Sequence, residues 1–262
     1  MSHASAASVR PRTGLASALL TFVLVLALAQ PALAQWRAPG SLPLSDSDAA
    51  SQVSWAAEVR WGNHSANNYW PSDEELDAFR HGQRDRYGRT AVEYNPLAQY
   101  VTGRFAGTTD EILQWAAHKW GIPEDIVRAV AVGESWWNMS QLGDRRDNVD
   151  AQAYPPYARI NPYTAYQSLG IMQINWTPAG IHTGTDPLRW KSTAFNVDYW
   201  ASTVRYYFDG YCDWCYPDYD VGQEWESVAA WQNPWPWKSA DSYISYIQQH
   251  VWNRTWLSPW FN

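Results

Sequence analysis

The sequence predicts a mainly helical fold of α+β type, and three patterns predict it. Thr108 and Glu111 have the T-x-x-E spacing of a capping box, and Ile112, Trp115, Ala116 and Trp120 then recur at helical spacing until Gly121 ends the turn. Pro123 opens a second helix where its missing N–H costs nothing, and Ile126, Val130 and Glu134, spaced i, i+4, i+8, share one stripe of it. A further helix is expected to begin near Ser72, within SDEELDAFR. The segment SLGIMQINW (168–176), taken alone, fits a buried strand or a helix start.

The chain divides into three parts. Residues 1–34 have the order of an export signal: Arg10 and Arg12, an apolar run from about Leu15 to Leu28, and Ala32-Leu33-Ala34 as a small-x-small cleavage site. That run is shorter than the ~20 residues a membrane span needs, so a secreted chain cleaved near Ala34, without stable membrane insertion, is expected. Residues 35–107 are an N-terminal extension of mixed character whose role is open, and 108–262 are expected to form the main helical domain. Cleavage removes two of the 19 basic residues and none of the 26 acidic ones, leaving a net charge of about −9. Nucleic acid is therefore not an expected partner. The one basic run, RHGQRDRYGR at 80–89, fits a solvated face.

Nineteen Trp and sixteen Tyr exceed the needs of one core. Many sit beside Asn, Pro, Ser or Asp, and flat rings near a surface suggest a stacking partner such as a sugar or peptide. Cys212 and Cys215 form C-D-W-C, for which a disulfide is expected outside the cell. A redox pair lacks the strand-to-helix setting, and no further Cys or suitably spaced His supports zinc. No metal or other cofactor is expected.

In AVGESWW (131–137) a carboxylate, Glu134, follows small and apolar residues and stands one residue before Trp136 and Trp137. An unpaired carboxylate taken from water costs several kcal/mol, so such a group takes up a proton instead. The last helical turn, with its free carbonyls, pushes the same way. An exposed glutamate at a helix end is the plain alternative. Trp136 and Trp137 cannot share one helical face, so at most one belongs to the core.

The order of a capped helix ending at Trp120, IPEDIVRAVAVGES, W-N at 137–138, GIMQ, AFNVDYW and VAAWQNP resembles the soluble lytic transglycosylase and goose-type lysozyme superfamily over roughly residues 108–256. The marks of that superfamily are E-S at a helix end, G-L-M-Q and a later A-Y-N. The resemblance implies a lysozyme-like fold with Glu134 as general acid and Ser135 helping to hold the site. Gly170, Met172 and Gln173 match G-L-M-Q, and Ala230, Trp231 and Gln232 match A-Y-N. With Trp137, Ser168 and Asn175, these give the expected substrate-binding set: Ser135, Trp137, Ser168, Gly170, Met172, Gln173, Asn175, Trp231 and Gln232. Stacking candidates near the site are Trp136, Tyr163, Tyr166, Trp176, Trp235 and Trp237. Three features depart from the pattern: Gln167-Ser168 in place of G-A, A-W-Q in place of A-Y-N, and a Pro/Tyr-rich insertion between Glu134 and Gly170. Trp231 loses a phenol hydroxyl, and an indole N–H only donates.

The implied substrate is peptidoglycan or a related β-1,4 N-acetylated glycan. In transglycosylases of this superfamily one carboxyl donates a proton and then accepts one from the muramoyl 6-hydroxyl, leaving a 1,6-anhydro end. In goose-type relatives a carboxylate after a Gly positions water, and Gly143-Asp144 offers that here. Asp147 and Asp150 stand nearby, a solvated loop is the alternative for all three, and the spacing of a calcium loop is absent. With the role of Asp144 open, a lytic transglycosylase is expected. Alternatives are a lysozyme-like or chitinase-like hydrolase on the same fold and an inactive glycan-binding protein.

Overall fold

Capping decides where the chain turns helical. In the computed structural model, which describes Met1 and residues 35–177, 180, 182–215, 220–233 and 240–261, short helices α1 (Asp46–Ala50), α2 (His64–Asn67), α3 (Asp73–Asp77) and α4 (Ala91–Tyr94) precede the long α5 (Thr109–Trp120) and α6 (Glu124–Ser135). Ser72, Thr90 and Thr108 each close a capping box with Glu75, Glu93 and Glu111. The helix expected near Ser72 therefore forms, running on as a wider turn through Ala78–Gly82. Gly121 ends α5 in the left-handed region at φ 64°, and Pro123 is the N-cap of α6. The expected export signal with its cleavage site near Ala34, and Trp235 and Trp237, lie outside the described residues. Among the described residues no helix is long and apolar enough to cross a membrane.

The insertion after α6 is a sheet. Strand β3 (Thr164–Leu169) pairs antiparallel with β1 (Leu142–Asp147), β2 (Arg159–Asn161) and β4 (Ile174–Asn175). Asp144 and Asp147 thus lie on a strand, and Asp150 accepts from the Gln152 N–H to cap a short turn. SLGIMQINW becomes the end of β3, a turn at 170–173, and β4. Helices α7 (Leu188–Lys191), α8 (Thr193–Phe208), α9 (Glu224–Ala230) and α10 (Asp241–Asn253) complete a mixed α+β fold of helices with one small antiparallel sheet.

Residues Ala34–Asn262 form one compact unit. Every residue of α8 is buried, and the segment 35–107 adds Ala49, Leu76, Phe79, Leu97, Ala98 and Val101 to the core that α5, α6 and α8 share. A buried charge ties these parts together. Asp198 on α8 accepts from the backbone N–H groups of Thr102 and Gly103 (2.8 and 2.9 Å), the Trp120 indole (2.6 Å) and the Lys119 ammonium (2.8 Å). Lys119 also reaches Asp46 at 2.8 Å. The backbone comes so close that a Cβ on Gly103 (φ 59°) would lie 2.7 Å from Phe195 backbone atoms.

Removing one partner of a buried, hydrogen-bonded charge leaves the other uncompensated, at a cost of about 3–5 kcal/mol. Asp198→Ala is expected to lose that much in urea unfolding. Arg145→Ala, which breaks the exposed Arg145–Asp147 pair, should change stability by less than about 1 kcal/mol.

Candidate active site

Glu134 stands in the last turn of α6, half-buried, and the next residue fixes that turn to the Gly-Ile-Met-Gln segment. The Ser135 hydroxyl donates to the carbonyl of Ile171 (2.8 Å) and lies 3.2 Å from that of Ala131. The segment is held in turn by α8: Asn196 accepts from the Met172 N–H (2.8 Å) and donates to the carbonyls of Leu169 (3.2 Å) and Arg189 (2.6 Å). Arg189, fully buried, donates to the carbonyls of Gln167 (2.6 Å) and Ile174 (2.7 Å) on either side. Gly170 turns at φ 85°, where a Cβ would lie 2.2 Å from the Asn196 amide nitrogen. Only glycine fits there.

These elements enclose a cleft of about 530 Å³ lined by Glu134, Asp144, Ser168, Gln173, Asn175, Thr177, His182, Trp231 and Gln232. Seven of these are residues the sequence pointed to, all but Thr177 and His182. Four others expected to touch substrate, Ser135, Trp137, Gly170 and Met172, lie behind the wall. Met172 is fully buried and Trp137 is 2% exposed, its indole donating to the Arg128 carbonyl. Their part is to position the wall, because packing consumes the surfaces a sugar would need.

The stacking candidates divide as well. Trp176 is buried edge-on against Tyr154. Trp136 stacks on Trp260 at 5.6 Å, and Tyr163 projects from the β2–β3 turn. Trp136 and Trp137 do part company as expected, one exposed and one buried, but the cause differs. Both lie beyond the helix in left-handed conformations (φ 56° and 59°).

Burial pushes the Glu134 carboxyl up to about 7, and the negative charge of Asp144 adds to the effect. Opposing both, the Tyr243 hydroxyl on α10 donates to Glu134 Oε1 at 2.5 Å and stabilises the ionised form. Asp144 sits on β1 at a left-handed position (φ 51°). It accepts hydrogen bonds from the Ser168 hydroxyl and from the Asn175 amide (2.8 Å). The register that pairs Gly143 with Ser168 and Ser168 with Asn175 brings these three side chains together. An acid held protonated near neutrality faces a second carboxylate fixed on the opposing sheet.

No family model, curated protein or solved structure matches the chain.

Three functional residues escaped the sequence reading. Tyr243 lies 109 residues from Glu134, and nothing in an amphipathic helix marks which tyrosine will meet a distant carboxyl. His182 tilts against Trp231 at 5.0 Å and shares a 2.9 Å hydrogen bond with Tyr199. Burial, with help from the Arg189 charge, lowers it to about 3, so it is neutral and orients Trp231 without carrying charge. Thr177 adds a hydroxyl to the rim. Among the described residues no cluster of His, Cys, Asp or Glu could hold a metal ion.

A general acid works only while protonated, so kcat/KM should fall as pH rises through about 7. Tyr243→Phe removes the donor that favours the carboxylate, which raises the Glu134 pKa further. The descending limb of the pH–kcat/KM profile is expected to move to higher pH. A purely structural Tyr243 would lower the rate and leave the limb in place.

Proposed function

We propose that the protein cleaves β-1,4 glycosidic bonds in peptidoglycan or a closely related N-acetylated glycan, with Glu134 as general acid. The observation that carries this reading is one carboxyl raised to about 7 inside a polar cleft that also holds an anchored carboxylate. Glycosidic cleavage needs that division of labour: one group protonates the leaving oxygen while another deals with the positive charge or the water at the anomeric carbon. The kinship with lytic transglycosylases and goose-type lysozymes belongs to the same proposal. It is supported by the ordered motifs, several of whose residues line one cleft or brace its wall.

Glu134 gives its proton to the bridging oxygen as the bond to C1 breaks. Asp144, whose carboxylate Ser168 and Asn175 orient, receives a proton from water as the water oxygen bonds to C1. Gln173, Asn175 and Gln232 supply amides for sugar hydroxyls and N-acetyl groups, and Trp231 offers a ring edge or face. The position of Asp144 on the cleft wall favours hydrolysis over the transglycosylation that the sequence alone favours. Transglycosylation remains the second reading, on one observation: a carboxyl balanced near 7 gives up and retakes a proton with equal ease at neutral pH.

Glu134→Gln is expected to lower kcat on purified peptidoglycan at least about a hundredfold while the fold and glycan binding persist; full activity in this variant would defeat the proposal. Mass spectrometry of wild-type products separates the two outcomes. Reducing ends that disappear in Asp144→Asn mean hydrolysis, and 1,6-anhydro ends insensitive to that change mean transglycosylation.

A further inference from the structure

Two stretches that stand out in the sequence take no part in the cleft: the basic run at 80–89 and C-D-W-C at 212–215. The fold sets them against each other as walls of a second cavity, of about 440 Å³, lined by Arg86, Tyr87, Arg89, Tyr94, Asp213 and Trp214. Each wall is braced. On one, Asp85 accepts from the backbone N–H groups of Tyr87 (2.8 Å) and Arg89 (2.9 Å) and pairs with the Arg89 guanidinium at 2.9 Å. On the other, the Cys212–Cys215 disulfide closes the loop, and both sulfurs' residues pack with Tyr206, Tyr207 and Ala230, with Trp214 against them.

The basic residues of this wall are not alike. Arg84 is paired with Glu93 and Arg89 with Asp85, so their charges are answered locally. Arg86 is exposed and makes no ion pair with a described residue; its guanidinium lies 5.0 Å from the Tyr87 ring centroid, and that of Arg89 lies 5.0 Å from the Tyr87 centroid and 4.9 Å from that of Tyr94, whose ring also stacks on Tyr206 at 5.4 Å. Asp213, exposed on the facing loop, likewise has no ion pair with a described residue. The cavity therefore presents aromatic rings flanked by one uncommitted planar cation and one uncommitted planar anion.

That set matches a neutral pyranose. Its C–H face lies on a ring, and its neighbouring hydroxyls pair with the two forks, one donating and one accepting. An anionic ligand would gain Arg86 but meet Asp213, and would approach a chain of net charge −7 in full or about −9 without its leader. We propose that this cavity is a second, non-catalytic saccharide site, holding a neutral sugar ring of the glycan strand away from the cleft. That the strand is a β-1,4 N-acetylated glycan rests on the proposed function; that the ligand is a sugar ring does not. On an acidic protein such a site supplies the retention on an anionic wall that net charge withholds.

Calorimetric titration of the Glu134→Gln protein with the tetramer of β-1,4-linked N-acetylglucosamine, and in parallel with cellotetraose, tests this. Two classes of site are expected, and Tyr87→Ala and Arg86→Ala, both at exposed positions, should each weaken one class about tenfold or more and leave the other. In the catalytically intact protein the same two substitutions should reduce retention on insoluble peptidoglycan while leaving kcat/KM on a soluble tetramer unchanged. Tetraose binding in which no class of site responds to either substitution overturns the proposal. If the intact protein cleaves no glycan yet loses tetraose binding on Tyr87→Ala, the saccharide site stands and the catalytic reading falls.

Discussion

The molecule is organised around a carboxyl group withdrawn from water at the end of a helix. Desolvation favours the neutral form of Glu134 over its carboxylate. The Tyr243 hydroxyl offsets part of the desolvation and Asp144 adds to it, so the group rests near neutrality. This balance requires three elements to converge: the C-terminus of α6, the face of α10 that carries Tyr243, and the β1–β3–β4 corner that carries Asp144. Asp144 follows Glu134 by ten residues, but Tyr243 lies 109 residues away, so the rigidity of their supports decides whether the balance holds.

Those supports are polar and buried. Asn196 and Arg189 together satisfy backbone groups around the turn at 170–173, which has no ladder of its own: the Met172 N–H and the carbonyls of Gln167, Leu169 and Ile174. Asp198, two residues further along α8, does the equivalent for 102–103 and for Lys119. Helix α8 is thus less a greasy rod than a buried template. Groups left unpaired there would each cost about 1–3 kcal/mol, so the site's geometry and the protein's stability depend on the same bonds.

The N-terminal extension gains a role in this light. Asn63, in a segment whose purpose the sequence leaves open, donates to the Trp137 carbonyl and accepts from the Met139 N–H. It therefore clamps the strained pair of left-handed residues that follows Glu134. Arg60 donates to the Trp136 carbonyl from the same side. The chain ahead of α5 is part of the apparatus that ends α6 where it does.

Local chemistry was readable from the sequence. The helix start near Ser72, the capping box at Thr108, the stop at Gly121, the inward stripe carrying Glu134, the disulfide, and seven residues of the cleft follow from spacing, composition and motif order, because each depends on neighbours within a turn or two or on an ordered motif set. What tertiary structure alone decided is which groups meet across long separations: Tyr243 on Glu134, Asn196 under the 170–173 turn, Asp144 on a strand facing the acid, and the basic run beside C-D-W-C. Ser135, Trp137, Gly170 and Met172, expected at the substrate, are placed behind the cleft wall for the same reason. A side chain's direction after a helix ends is set by packing, and packing is not periodic.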